Sequence, residues 1–177
     1  MEKGQIIYLN GVTSTGKTSI AKALQDRDDL FFYALSNDLF EETVGERYLC
    51  ADYWTHLAEA IRMMYHTAKL FSDMGKHVII DGMILEKEEF RPHYQQIREI
   101  FAENPLSIVE VYCPLEICRE RNIRRGNRGE MQSHYQQQFM NPNVAYSIRV
   151  DTHLQDAKAC AEQIVTALFA KREPEIR

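Results

Sequence analysis

The run Gly11-Val12-Thr13-Ser14-Thr15-Gly16-Lys17-Thr18 has the residue types and spacing for phosphate chemistry. It fits the pattern G-x-x-x-x-G-K-[ST], and its flanks give that pattern physical meaning. The apolar run Ile6-Ile7-Tyr8-Leu9 precedes it, and the helical stretch Thr18-Ser19-Ile20-Ala21-Lys22-Ala23-Leu24 follows. A strand that turns sharply into a helix aims backbone N–H groups and a positive helix end at one spot. Gly11 and Gly16, lacking a Cβ, let the backbone wrap an anion closely. Thr13, Ser14, Thr15 and Ser19 complete the expected cradle. Lys17 is expected to reach the β- and γ-phosphates of a nucleotide, and the Thr18 hydroxyl to hold Mg²⁺.

Two carboxylates and a basic cluster stand at positions that could work with this loop. Asp38 follows the apolar run Leu30-Phe31-Phe32-Tyr33-Ala34-Leu35. Phosphoryl transfer needs a carboxylate to take a proton from an attacking hydroxyl. Asn37 or Asp38 could equally cap a helix containing Leu39-Phe40-Glu41-Glu42. Asp81 ends Val78-Ile79-Ile80, where an acid is expected near the loop's Mg²⁺, although Asp81-Gly82 is also a turn dipeptide. Arg119, Arg121, Arg124, Arg125 and Arg128 surround Gly126 and Gly129. Arg125 and Arg128 border the glycines and read as a flap closing over phosphates, whereas Arg119 and Arg124 read as a solvated helix face. Tyr53, Trp54, His56, Met63 and Met64 could roof a pocket, but Trp54 lies on an apolar helical stripe and reads as core. No pair of histidines has H-x-x-x-H or H-x-H spacing, so no zinc site is expected.

These residues need elements to position them. Strands are predicted over 5–10, 30–35, 77–81, 107–113 and 145–151. Helices are predicted over 17–27, 53–74, 86–103 (interrupted by Pro92), from Pro114 into the basic stretch, 131–140 and 156–171. Strands alternating with helices imply an α/β fold, a parallel sheet with helices on both faces. Ligands of such sheets bind beyond the carboxyl ends of the strands, which directs attention to Asn10, Asp38, Asp81 and Asp151. With 177 residues the chain reads as one domain, with a frayed tail over 172–177.

A net charge of −5 gives no encouragement to nucleic-acid or anionic-membrane partners. No apolar run approaches a membrane span. Cys50, Cys113, Cys118 and Cys160 form no C-x-x-C pair and read as free thiols. With no room for a leader before the first strand, a cytoplasmic location is expected.

The chain resembles the chloramphenicol phosphotransferase-like family of P-loop kinases. The resemblance lies in Ile6-Ile7-Tyr8-Leu9-Asn10-Gly11 with Ser14 and Gly16-Lys17-Thr18, in Asp38, and in Val78-Ile79-Ile80-Asp81. It continues in Arg119-Glu120-Arg121, Arg125-Gly126-Asn127-Arg128 and Val150-Asp151-Thr152. It implies a P-loop NTPase three-layer sandwich with a five-stranded parallel sheet and an arginine-bearing lid over about 119–140. It also implies MgATP as phosphoryl donor and a small-molecule hydroxyl as acceptor, chloramphenicol or a related antibiotic among the candidates. Asp38 is then the base, and Lys17, Arg125 and Arg128 act on the transferring phosphoryl group. Two other classes stay open: another small-metabolite or nucleotide kinase of this fold, and a regulatory P-loop NTPase without an acceptor.

Overall fold

The computed structural model describes residues 2–126 and 128–169. The expected tail over 172–177 and Asn127 of the flap lie outside the described residues. Five strands form one parallel sheet: β1 (Ile6–Asn10), β2 (Phe32–Ser36), β3 (His77–Gly82), β4 (Leu106–Tyr112) and β5 (Ile148–Asp151). Their spatial order is β2-β3-β1-β4-β5. Each strand is followed by a helix that returns the chain to the same edge, so neighbours run parallel.

Every residue of β1 is buried, because both sheet faces are covered. That explains its unbroken apolar run, since a strand packed on both sides has no solvent face to alternate with. Ile7, Leu9 and Ile79 point to α1 (Lys17–Gln25) and α8 (Ala157–Phe169), meeting Ile20, Leu24 and Ile164. Ile6, Tyr8, Val78 and Ile80 point the other way, to Ile61, Met64 and Tyr65 of α4 (Tyr53–Asp73) and Ile97 of α5 (His93–Ile100).

Several boundaries differ from expectation for local reasons. β2 starts at Phe32 and runs through Ser36, because its pairing with β3 spans Phe32↔His77 to Ser36↔Asp81. Of the helix expected over 86–103, only α5 forms. Pro92 occupies its N-cap position, where a missing N–H costs nothing, and only a short 3-10 turn, Glu88–Phe90, precedes it. β5 does not begin at Ala145, whose N–H donates instead to Tyr94 Oη at 3.0 Å. After β2 the chain forms two short helices, α2 (Asn37–Glu41) and α3 (Glu46–Ala51), neither with a buried residue. The basic stretch belongs to α6 (Leu115–Arg125), and α7 (Gln132–Gln137) follows it. All four cysteines are free. Among the described residues no helix is long and apolar enough to cross a membrane.

Candidate active site

The loop from β1 to α1 lies at the carboxyl edge of the sheet, and its shape is held from outside. Ser14 (φ 63°) and Gly16 (φ 99°) adopt the left-handed conformation. Glycine accepts this freely, but serine does so at a cost that surrounding contacts must offset. Ser14 Oγ donates to Asn122 Oδ1 at 2.6 Å, and the Arg121 guanidinium donates to Ser14 O at 3.2 Å. Arg121 also donates to Thr152 Oγ1 and O at 3.0 and 2.8 Å, and the Thr152 hydroxyl donates to Thr15 O at 2.6 Å. Asn122, fully buried, spends its amide N–H groups on Ser133 Oγ (2.8 Å) and Glu130 O (3.2 Å). The Thr13 N–H donates to Gln136 Oε1 at 2.7 Å. Thus α6, α7 and the end of β5 together grip the loop.

Lys17 Nζ donates to Gly11 O and Val12 O at 2.7 and 3.0 Å and lies 3.9 Å from Asp81 Oδ1. Burial pushes this ammonium below the ordinary lysine value, and the charges of Asp81 and Asp38 oppose that shift. The Thr18 hydroxyl donates to Asp81 Oδ2 at 2.6 Å. A hydroxyl and a carboxylate side by side are the hard-oxygen donors Mg²⁺ takes beside substrate phosphates, so these residues fit that ion. Asp81 stands opposite Leu9 in the β1–β3 register, two residues before the loop begins at Gly11. The next residue must be small: a Cβ at Gly82 would come within 2.6 Å of the buried Tyr8 hydroxyl.

Ser36, not Asn37 or Asp38, caps α2, its Oγ accepting the Leu39 N–H at 3.1 Å. The capping alternative for Asp38 therefore falls away. Asp38 lies in the first turn of α2, and its Oδ2 accepts from Arg128 at 2.8 Å. One groove is lined by Lys17, Thr18, Asp38, Asp81, Arg125 and Arg128, with Thr13, Ser14 and Gly16 also on its wall. Gly11 and Thr15 face the opposite side of the loop, toward Val111 and Tyr112, and Ser19 lies exposed on α1 outside the groove. Arg119 stays away, pairing with Glu130 and, at 3.7 Å, with Glu116.

Past Asp38 and Arg128 the groove continues into a second pocket, walled by Tyr53, Trp54, Leu57, Leu85, Lys87 and Phe139. Trp54 lines this pocket while its ring also packs on Phe90, so reading it as core captures only half its role. Tyr53 Oη donates to Glu41, and burial first, then that carboxylate, pushes the phenol up to about 12. His56 instead faces Glu59 at 3.7 Å, Met63 is exposed and Met64 is core. Sequence reasoning left Asn122, Gln136 and Lys87 unmarked and gave Arg121 no particular role. Only Asn122 carried a signal, an asparagine inside a helix where its side chain must bond elsewhere.

The sequence pattern of the chloramphenicol phosphotransferase-like proteins matches residues 4–169. The chain belongs to that family. Curated relatives of this family member include an adenylyl-sulfate kinase of Prochlorococcus marinus, 27% identical over 181 positions, covering 94% of this chain and 84% of the relative. A probable adenylyl-sulfate kinase of Bacillus subtilis is 25% identical over 181 positions, covering 92% and 84%. Among solved structures, the APS kinase of Mycobacterium tuberculosis in complex with AMPPNP and APS superposes with a TM-score of 0.72 at 18% identity, covering 96% and 99% of the two chains. Shikimate kinase of Acinetobacter baumannii gives 0.65 at 17%, covering 97% and 96%. These likenesses establish the P-loop kinase fold.

Proposed function

We propose that the protein transfers the γ-phosphoryl group of ATP to a hydroxyl of a small molecule. The observation that carries this reading is the position of Asp38: a carboxylate at the junction between the phosphate groove and an aromatic-walled pocket. In such a site ATP lies on the loop 11–18 and the acceptor lies in the pocket. The family and the kinases among its relatives support the same reading.

Asp38 Oδ1 has no hydrogen-bond partner among the described residues, while Oδ2 is held by Arg128. Oδ1 takes the proton of the acceptor hydroxyl as its oxygen bonds to the γ-phosphorus. The bond to the β,γ-bridging oxygen breaks and leaves its electron pair on ADP. Lys17 stabilises charge on the phosphates, and Arg125 and Arg128 flank them and help exclude water, which would otherwise compete as acceptor. Thr18 and Asp81 would hold Mg²⁺, which neutralises phosphate charge when bound.

The test is mass spectrometry of reactions containing MgATP with chloramphenicol or with adenylyl sulfate, the acceptor named by the curated relatives. A monophosphorylated acceptor is expected with the intact protein. With Lys17→Ala it should fall to background, a loss on the order of 10⁴-fold or more. ADP formed at one rate with or without any acceptor would instead favour a regulatory NTPase.

A further inference from the structure

The acceptor-side pocket holds a cation that the phosphotransfer chemistry does not use. Lys87 Nζ lies 4.1 Å from the centroid of the Trp54 ring and 4.3 Å from that of Phe139, with Tyr135 at 5.8 Å. The three rings come from two different helical regions, α4 and the segment at α7, so the ammonium sits in a box that fixes its position. The backbone beneath it is fixed as well. The Glu86 N–H donates to Phe139 O at 2.7 Å, the Asn141 N–H donates to Ile84 O at 3.0 Å, and Leu85 bridges Met140 between them. Lys87 therefore does not sample solvent as a surface lysine does.

The charged lining of this pocket is two carboxylates, Asp38 and Glu41, and two cations, Arg128 and Lys87, so what distinguishes Lys87 is its placement among the rings and not an excess of charge. Of its carboxylates, Asp38 is paired with Arg128, and Glu41 accepts from Tyr53. Among the described residues Lys87 has cation–π contacts and no ion pair, and the adjoining Glu86 side chain is turned to Asn141. Aromatic faces hold a cation without consuming its charge, and the N–H donors of a lysine can still reach an anion beside the rings.

We infer that Lys87 selects acceptors carrying an anionic group, a hydroxylated aromatic acid or its phosphate or sulfate counterpart, over neutral ones of the same shape. The walls of Tyr53, Leu57 and Leu85 take the flat apolar body, Asp38 takes the hydroxyl, and Lys87 takes the anion. This inference rests on the phosphotransfer reading, since that reading makes the pocket an acceptor site.

Trp54 is the only tryptophan in the chain and adjoins Lys87, so its fluorescence reports binding without turnover. The experiment titrates the full chain with mandelate and with mandelamide, matched in ring and hydroxyl and different in charge. Adenylyl sulfate serves as the sulfate-bearing probe. The acid should bind roughly 10- to 100-fold more tightly than the amide, the worth of a charge-assisted hydrogen bond. In Lys87→Met, which keeps the stem and its ring contacts, the acid-over-amide ratio should fall toward one, and Lys87→Arg should restore it. A lysine serving only as a latch between Trp54 and Phe139 would shift both probes alike and leave the ratio standing. No acid preference in the intact protein, or a preference that survives Lys87→Met, overturns the inference. Failure of the phosphotransfer reading is seen separately, in the Lys17-dependent product.

Discussion

On the phosphate side of the crevice, loop 11–16 is gripped by Arg121, Asn122, Gln136 and Thr152, and Lys17 and Asn122 are buried. On the acceptor side, α2 and α3 bury no residue, and the carboxylate proposed as base is two-thirds exposed. On the proposed function the difference follows from two tasks. Cradling a triphosphate needs backbone N–H groups fixed to within tenths of an ångström, which only a cross-braced loop provides. Fitting a particular acceptor needs a few side chains on short, weakly packed elements, where local opening costs little free energy.

Beyond the near-complete loss expected for Lys17→Ala, the largest effect that separates the two sides should come from Asp38→Asn, which keeps shape and removes the proposed base. Turnover should fall roughly 10²- to 10⁴-fold with ATP affinity nearly constant, measured by steady-state kinetics and nucleotide titration. A parallel loss of ATP binding would erase the distinction between the two sides.

A smaller effect should separate the sides by pH. His93 is buried under the acceptor side, and burial lowers its pKa from 6.5 to about 4. Its Nδ1 lies 3.0 Å from the Leu85 nitrogen and 3.2 Å from the Leu85 carbonyl oxygen, and its Nε2 lies 2.7 Å from Tyr65 Oη, so the ring has polar partners on both sides while burial keeps it neutral. Between about pH 4 and 6.5 the unfolded chain binds a proton that the folded chain refuses. Stability is therefore full above that window and falls as pH drops through it, by up to about 3 kcal/mol. Denaturant titration should show this slope, and His93→Gln should flatten it. Because His93 packs on Phe90, and Phe90 on Trp54, the tryptophan signal should report the loosening.

The smallest test compares two arginines two residues apart on α6, Arg121 and Arg119, whose side chains point to different partners. Arg121→Ala removes the brace between Ser14 and Thr152 and should cost about 1.5–3 kcal/mol, while raising the KM for ATP. Arg119→Ala, exposed and paired only with surface glutamates, should leave both thermal stability and ATP kinetics near the unaltered values. Equal effects from the two would mean that the loop is not braced through α6.

The parts of the molecule that could be read in advance are those where one local rule dominates. The motif at Gly11 to Thr18 carries its own chemistry, and the runs Ile6-Ile7-Tyr8-Leu9 of β1 and Val78-Ile79-Ile80 of β3 are unbroken because both sheet faces are buried there. β2, at the sheet edge, blurred because Phe31 and Tyr33 are apolar yet exposed. Trp54 misled because a residue lining a pocket and one filling the core obey the same helical spacing. Arg121 was hidden in a run of five arginines whose partners lie in distant segments, and Lys87 because a cation–π box depends on rings from two distant elements.

The close fit of Gly82 beneath Tyr8 makes those two positions, on neighbouring strands, a single packing unit. Neither need touch nucleotide, yet together they set how near the ends of β1 and β3 can come, and hence the gap between Thr18 and Asp81. Any side chain at 82 would press on the tyrosine at 8 and push these strand ends apart, widening the gap between Thr18 and Asp81, the pair proposed to hold Mg²⁺.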